Sequence, residues 1–196
     1  MSKSDQGFLM TTTKVSICNE ALSMIGASPI QSFEDRTENA RRMASIYDGS
    51  RKALLRMHPW SFAKKRVQLS PVTTHPSFGY ANAFPFPADF VRIIDTGVQE
   101  YEVEGRYILC NANLVNLVYV SDNDNEDTWD SLFVECMALY LVNKIAKAIT
   151  GSNAEADSAW SKLQGMLKQA RAINGQERPA QDFAADDFPL LMGVRY

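Results

Sequence analysis

Apolar residues recur at helical spacing in four stretches of the 196-residue chain, two on either side of a long region with a different period. Cys18, Ala21, Leu22 and Ile25 share one face of a helix predicted over 14–25, and Gly26 is a natural left-handed stop. A second helix is predicted over 38–57, opened by Asp35 or Thr37, with Ala40, Met43, Ala44, Tyr47, Leu54 and Leu55 as its buried stripe. A third follows the acidic pair Asp127-Thr128 and ends before Gly151. Ser152-Asn153-Ala154-Glu155 has the form of a capping box for the fourth, whose Ala156, Ala159, Trp160, Leu163, Met166, Leu167, Ala170 and Ile173 keep period until Asn174-Gly175.

Between the second and third helices the period shortens toward two. Segments 90–96, 101–104, 106–110 and 114–121 are rich in Val, Ile and Tyr, with Gly97 and Gly105 at turns, and Glu104-Gly105 reads as a tight hairpin. The expected fold class is therefore α+β: mainly a helical bundle, framed by residues 14–60 and 127–175, with a small antiparallel β lobe inserted over 62–121. Residues 1–13 read as an N-terminal extension and 179–196 as a C-terminal tail outside the 14–178 domain.

The sharpest local feature is Arg51–Leu69, RKALLRMHPWSFAKKRVQL. Pro59 lacks a backbone donor and forces His58 out of helical dihedrals, so the helix stops and a basic strand begins. Trp60 places a large ring at that corner. Charge is concentrated in the same region. Residues 41–66 carry eight Lys/Arg against one acid, a net of +7, while the remainder carries twelve against twenty-two, a net of −10; the chain as a whole is at −3. Arg41, Arg42, Lys52 and Arg56 fall on the side of the second helix opposite its apolar stripe. Three readings of this block stand side by side: a solvated face, a phosphate-binding surface of a DNA-binding packaging or regulatory factor, and a contact with an acidic partner protein.

Two further segments are too aromatic to be idle. The linker 71–87 contains Tyr80, Phe84 and Phe86, which need cover either from the chain's own core or from a partner. The tail carries Phe183, Phe188, Leu190, Leu191, Met192 and Tyr196 without helical period, and either folds back or docks elsewhere.

Catalytic chemistry is not evident. No P-loop, GxSxG, HExxH or dinucleotide fingerprint occurs. His58 and His75 each precede a proline at an element boundary, which favours structural roles. Cys18, Cys110 and Cys136 are odd in number and widely spaced, consistent with a reducing compartment and not with a disulfide or zinc framework. The acids Asp122, Asp124, Glu126, Asp127 and Asp130 fail as an EF-hand because Trp129 occupies the position that needs glycine. Interaction with the N-terminus of the following helix explains them more simply, and a metal-dependent nuclease built on them has no second ligand set. The opening residues lack the apolar core of a signal peptide, and 132–149 is too interrupted by polar residues to span a membrane. The expectation is thus no catalytic residue, no cofactor, no metal and no membrane.

Five fragments, in order, resemble the head-to-tail adaptor proteins of tailed bacteriophages, most closely the tail tubular protein A family of short-tailed phages. They are ICNEALSMIGASPIQSFEDRTENARR (17–42), YDGSRKALLRMHPWSFAKKRVQLS (47–70), FPFPADFVRI (84–93), YEVEGRYILCN (101–111) and WDSLFVECMALYLVNKIAKAITGS (129–152). The tail from 178 onward has no counterpart in the resemblance. What the resemblance implies is a virion structural protein at the head–tail junction, made in the host bacterial cytoplasm. Its copies would form a ring, commonly a dodecamer, between the portal protein and the tail nozzle. That ring would extend the channel through which genomic DNA passes without sequence-specific binding. The helical part would meet portal and neighbouring copies, and the β lobe would face the tail. On that reading Arg51, Lys52, Arg56, Trp60, Lys64 and Arg66, with Phe183, Phe188, Leu190, Leu191 and Tyr196, are the expected partner-binding residues.

Overall fold

The computed structural model describes residues 12–73 and 76–176. Four helices frame the fold, and their ends follow from local chemistry. Helix α1 (Lys14–Met24) starts with a reciprocal cap: Thr13 Oγ1 accepts from the Ser16 N–H at 3.1 Å, and Ser16 Oγ accepts from the Thr13 N–H at 2.9 Å. Gly26, at φ 67°, turns the chain out of it. Thr37, not Asp35, caps α2 (Glu38–Met57), accepting from the Ala40 N–H at 3.2 Å. Helix α2 ends at His58, extended at φ −144° and ψ 142°, as the following proline demands.

The acids expected to open the third helix instead form a short 3-10 turn, Glu126–Thr128, and Asp130 caps α3 (Ser131–Thr150) by accepting from the Leu132 N–H at 2.8 Å. Gly151 ends α3 at φ 74°. Helix α4 (Ala154–Gln176) begins one residue later than the proposed box. Ser152 Oγ accepts from the Ala154 N–H, and the first helical turn closes from the Asp157 N–H onto the Asn153 carbonyl.

A 3-10 turn at Ser61–Ala63 leads into six strands: β1 (Lys64–Leu69), β2 (Asn82–Pro85), β3 (Phe90–Asp95), β4 (Glu102–Glu104), β5 (Tyr107–Cys110) and β6 (Val115–Ser121). They make two antiparallel three-stranded sheets, ordered β1-β6-β3 and β2-β5-β4. The expected hairpin is β4–β5, with Gly105 at φ 57° in its turn. The architecture is α+β, with the β material in one contiguous insertion. The insertion is nevertheless more than an appended lobe. Its first sheet is a middle layer that contributes Val120, together with Val91 and Ile94, to the helical core. The other face of β6 (Val115, Leu117, Tyr119) joins Phe84, Phe86, Ile108 and Cys110 in a second core between the sheets.

The linker 71–87 resolves in favour of the chain's own core for two of its aromatics. Residues 82–85 form β2, Phe84 is fully buried, and Phe86 stacks on Phe90 with ring centroids 3.8 Å apart. Tyr80 is half-buried. On α2 the stripe differs from expectation at two places: Ala44 is exposed, while Ser50 and Arg51 are buried. On α4, Trp160 and Ile173 keep the helical period yet remain partly exposed. No helix among the described residues is long and apolar enough to cross a membrane.

Truncating Phe84 tests this assignment. Phe84→Ala should lower unfolding stability by about 3–5 kcal/mol in urea denaturation, the cost of emptying a core aromatic position. A loop aromatic lying loosely on the surface would cost far less.

Candidate functional site

Several of the residues singled out in the sequence meet at one corner, where α2 stops and β1 begins. Trp60 is buried there. Its indole N–H donates to the Leu54 carbonyl at 3.3 Å, and its ring meets His58 and Phe133 edge to face, with centroids 4.8 and 5.0 Å away. It holds the corner together and is only 4% exposed, with that remainder facing the neighbouring groove, so it is chiefly a packing residue and not the exposed contact expected of it.

Arg51 is corrected for a related reason. Its side chain is only 6% exposed. Its guanidinium lies 2.8 Å from Asp48 Oδ1 and 3.0 Å from Asp122 Oδ1. The helical spacing already carried this signal, because Arg51 continues the run Met43, Tyr47 and Leu54 on the inward face. A buried guanidinium needs carboxylate partners, and Asp122, immediately after β6, supplies the one from outside the helix. The side chain therefore ties helix to sheet and is not available for docking.

The other cations remain at the surface. Lys52 is largely exposed, with its ammonium 3.2 Å from Asp122 Oδ2. Arg56 donates to the Val91 carbonyl at 2.7 Å, and Arg92, a residue the sequence did not single out, donates to the Arg56 carbonyl at 3.1 Å. These two guanidiniums thus lie across the α2–β3 seam on backbone oxygens, without a carboxylate ion pair among the described residues. Lys64 is half-buried close to His58, and Arg66 is exposed on the edge strand β1 opposite Val118. Arg41 and Arg42, at the far end of α2, both pair with Glu38, and Arg42 also reaches the Ala148 carbonyl in the last turn of α3. Phe183, Phe188, Leu190, Leu191 and Tyr196, like His75, lie outside the described residues.

His58 is 3% exposed. Desolvation first, then the positive charges of Arg171 from α4, Lys64 from β1 and Arg92 from β3, push its pKa down from 6.5 to about 4. The imidazole is a neutral packing element near neutral pH. Cys18 and Cys136 are likewise interior groups, with burial pushing both thiols up to about 12, far from the thiolate a nucleophile needs.

The acid cluster is dispersed among local duties. Asp122 pairs with Arg51 and Lys52, Glu126 accepts from the Tyr47 hydroxyl at 3.2 Å, and Asp130 caps α3. Among the described residues no group of His, Cys, Asp and Glu is arranged to hold a metal ion. What the corner can do chemically is present positive charge on a rigid support. Comparison with protein-family models and with curated proteins returns no match.

Two outcomes check this geometry. Asp122→Ala should cost about 3–5 kcal/mol by leaving Arg51 buried with a single exposed partner, whereas Arg51→Met, which removes the buried charge itself, should cost clearly less. Chemical denaturation of both variants measures the difference. His58 sets the pH response. Its folded pKa lies below its unfolded value, so its full contribution is present above pH 6.5 and is lost as pH falls toward 4. The loss should reach at most about 3 kcal/mol. Urea midpoints recorded from pH 6.5 to 4.5 should fall in the native chain and flatten in His58→Gln.

Proposed function

We propose that the chain is a virion structural protein, a head-to-tail adaptor whose copies form a ring between portal and tail nozzle and line the DNA channel there. The observation that carries this reading is the ordered set of five fragments across 17–152 that resemble the tail tubular protein A family. The geometry is consistent with it, because those fragments supply the joints of the fold. Asn19, in the first fragment, clamps the following loop by two hydrogen bonds to the Ile30 backbone, at 2.9 and 2.8 Å. The second fragment contains the whole α2–β1 corner with its buried Arg51 and Trp60. The absence of a recognisable catalytic motif in the sequence fits an architectural role.

Lys52, Arg56 and Arg66 are the surface cations by which the adaptor approaches acidic surface on the portal or a neighbouring copy. Charge at such a rim speeds and orients encounter more than it deepens affinity. Reversing Arg51 is no test of docking, since the change would disrupt the interior. Lys52→Glu combined with Arg56→Glu is the informative variant. It should keep the native far-ultraviolet circular dichroism and bind purified portal rings about tenfold more slowly at low salt, with the difference shrinking as salt rises. An unchanged association rate removes these residues from the docking surface, and no binding of the native chain to portal removes the adaptor reading itself.

A further inference from the structure

Beside the corner a groove of about 330 Å3 opens between the start of α3 and the end of α4. Leu132, Ala170 and Ile173 give it apolar walls, His58, Trp60 and Ala170 are its buried lining residues, and Ser131 stands at its edge. Ile173 is half exposed there, an aliphatic side chain with open solvent over it. Three cations lie near the groove without lining it. Arg171, Lys64 and Arg92 come from three different elements and all lie close enough to His58 to act on it, and Arg171 has no ion pair among the described residues. Within the lining itself the charge is negative: Asp130 is exposed and accepts from the Leu132 N–H at the cap of α3.

An apolar slot with these cations beside it suits an occupant that combines aromatic or aliphatic side chains with carboxylates. A nucleic-acid backbone would answer the charges and leave the apolar walls wet. The chain itself carries the complementary segment. Residues 182–188 read Asp-Phe-Ala-Ala-Asp-Asp-Phe, with three acids, two phenylalanines and no base. Helix α4 ends at Gln176, three residues beyond the groove residue Ile173, and the segment follows six residues later in the sequence. Phe183 is seven residue steps beyond Gln176, an extended reach of roughly 23–25 Å, ample for the chain to turn back.

We propose that residues 182–188 of the same chain occupy this groove, a phenylalanine ring entering between Trp60, Leu132 and Ile173 while the aspartates face Arg171, Lys64 and Arg92. Covalent connection raises the local concentration of the segment to the millimolar range, so even a weak contact is populated. The inference does not rest on the adaptor reading, and its test needs no portal.

The test uses the full chain with paired cysteines. Ser131→Cys at the groove edge is combined with Ala185→Cys, which leaves both phenylalanines in place. A control joins Ala185→Cys to Lys168→Cys, an exposed position roughly opposite Ala170 around α4. The native cysteines are buried. Under mild oxidation the Ser131→Cys pair should close within one chain about tenfold faster than the control pair. Asp182→Asn, Asp186→Asn and Asp187→Asn together, or Arg171→Glu, should erase that preference, and added salt should weaken it. Equal rates for the two pairs overturn the proposal, as does a preference that survives both the charge changes and Phe183→Ala with Phe188→Ala. A disulfide that joins two chains in place of closing within one also overturns it, and assigns the groove to a second copy.

Discussion

The seven residues of β6 serve two hydrophobic cores at once. Val115, Leu117 and Tyr119 point into the space between the sheets, while Val120 points into the helical core. Because successive strand side chains alternate sides, a slip of one residue would send both sets into the wrong core. The register must therefore be held, and polar contacts at the end of the strand hold it. Ser121 donates its buried hydroxyl to the Ala63 carbonyl at 2.9 Å, and the Asp122 N–H donates to the Asp89 carbonyl at 2.7 Å. Asp89 in turn accepts from Lys65 on β1 and from the Tyr119 hydroxyl on β6. The Asp122 carboxylate, one residue beyond the strand, then takes the buried Arg51 guanidinium from α2. Helix α2 and the β1-β6-β3 sheet are thus tied together at the end of β6.

Much of this is visible in the sequence, and what is hidden shares a physical cause. The four helices and the hairpin about Gly105 are encoded within windows of about twenty residues, where periodicity and turn chemistry act directly. Strand β2 is hidden because Pro85 and Pro87 give its segment the look of a loop. Its identity comes from pairing with β5, Asn82 opposite Cys110, a relation that exists only in space. Proline is tolerated there because β2 is an edge strand. Arg51 shows the reverse case. The stripe spacing placed it inward, but its charge argued for the surface, and its distant partner Asp122 is what reverses that argument.

The charged corner was legible as a composition and not as a surface. Of the cations in 41–66, Arg41 and Arg42 turn to Glu38, Arg51 is interior, Lys52 leans on Asp122, and Lys65 meets Asp89. Arg56 and Arg66 make no ion pair with a carboxylate among the described residues. They are joined near the corner by Arg92 and Arg171, which lie far outside the basic block. The local net of +7 therefore misstates which groups a partner would meet.

A surface of this composition constrains what can bind it tightly. Exposed guanidiniums and ammoniums attract acids over about a Debye length, but each contributes little to a finished interface once salt and side-chain entropy act. Durable association needs apolar area as well. The described residues offer such area near the corner at the groove edged by Ile173, and more remotely at Phe78, Met24, Leu114 and Trp160 and on the β4–β5 hairpin through Tyr101, Val103 and Tyr107. Any partner that held this protein through its cations alone would be released by moderate salt. A partner that stayed must also cover apolar surface of this kind.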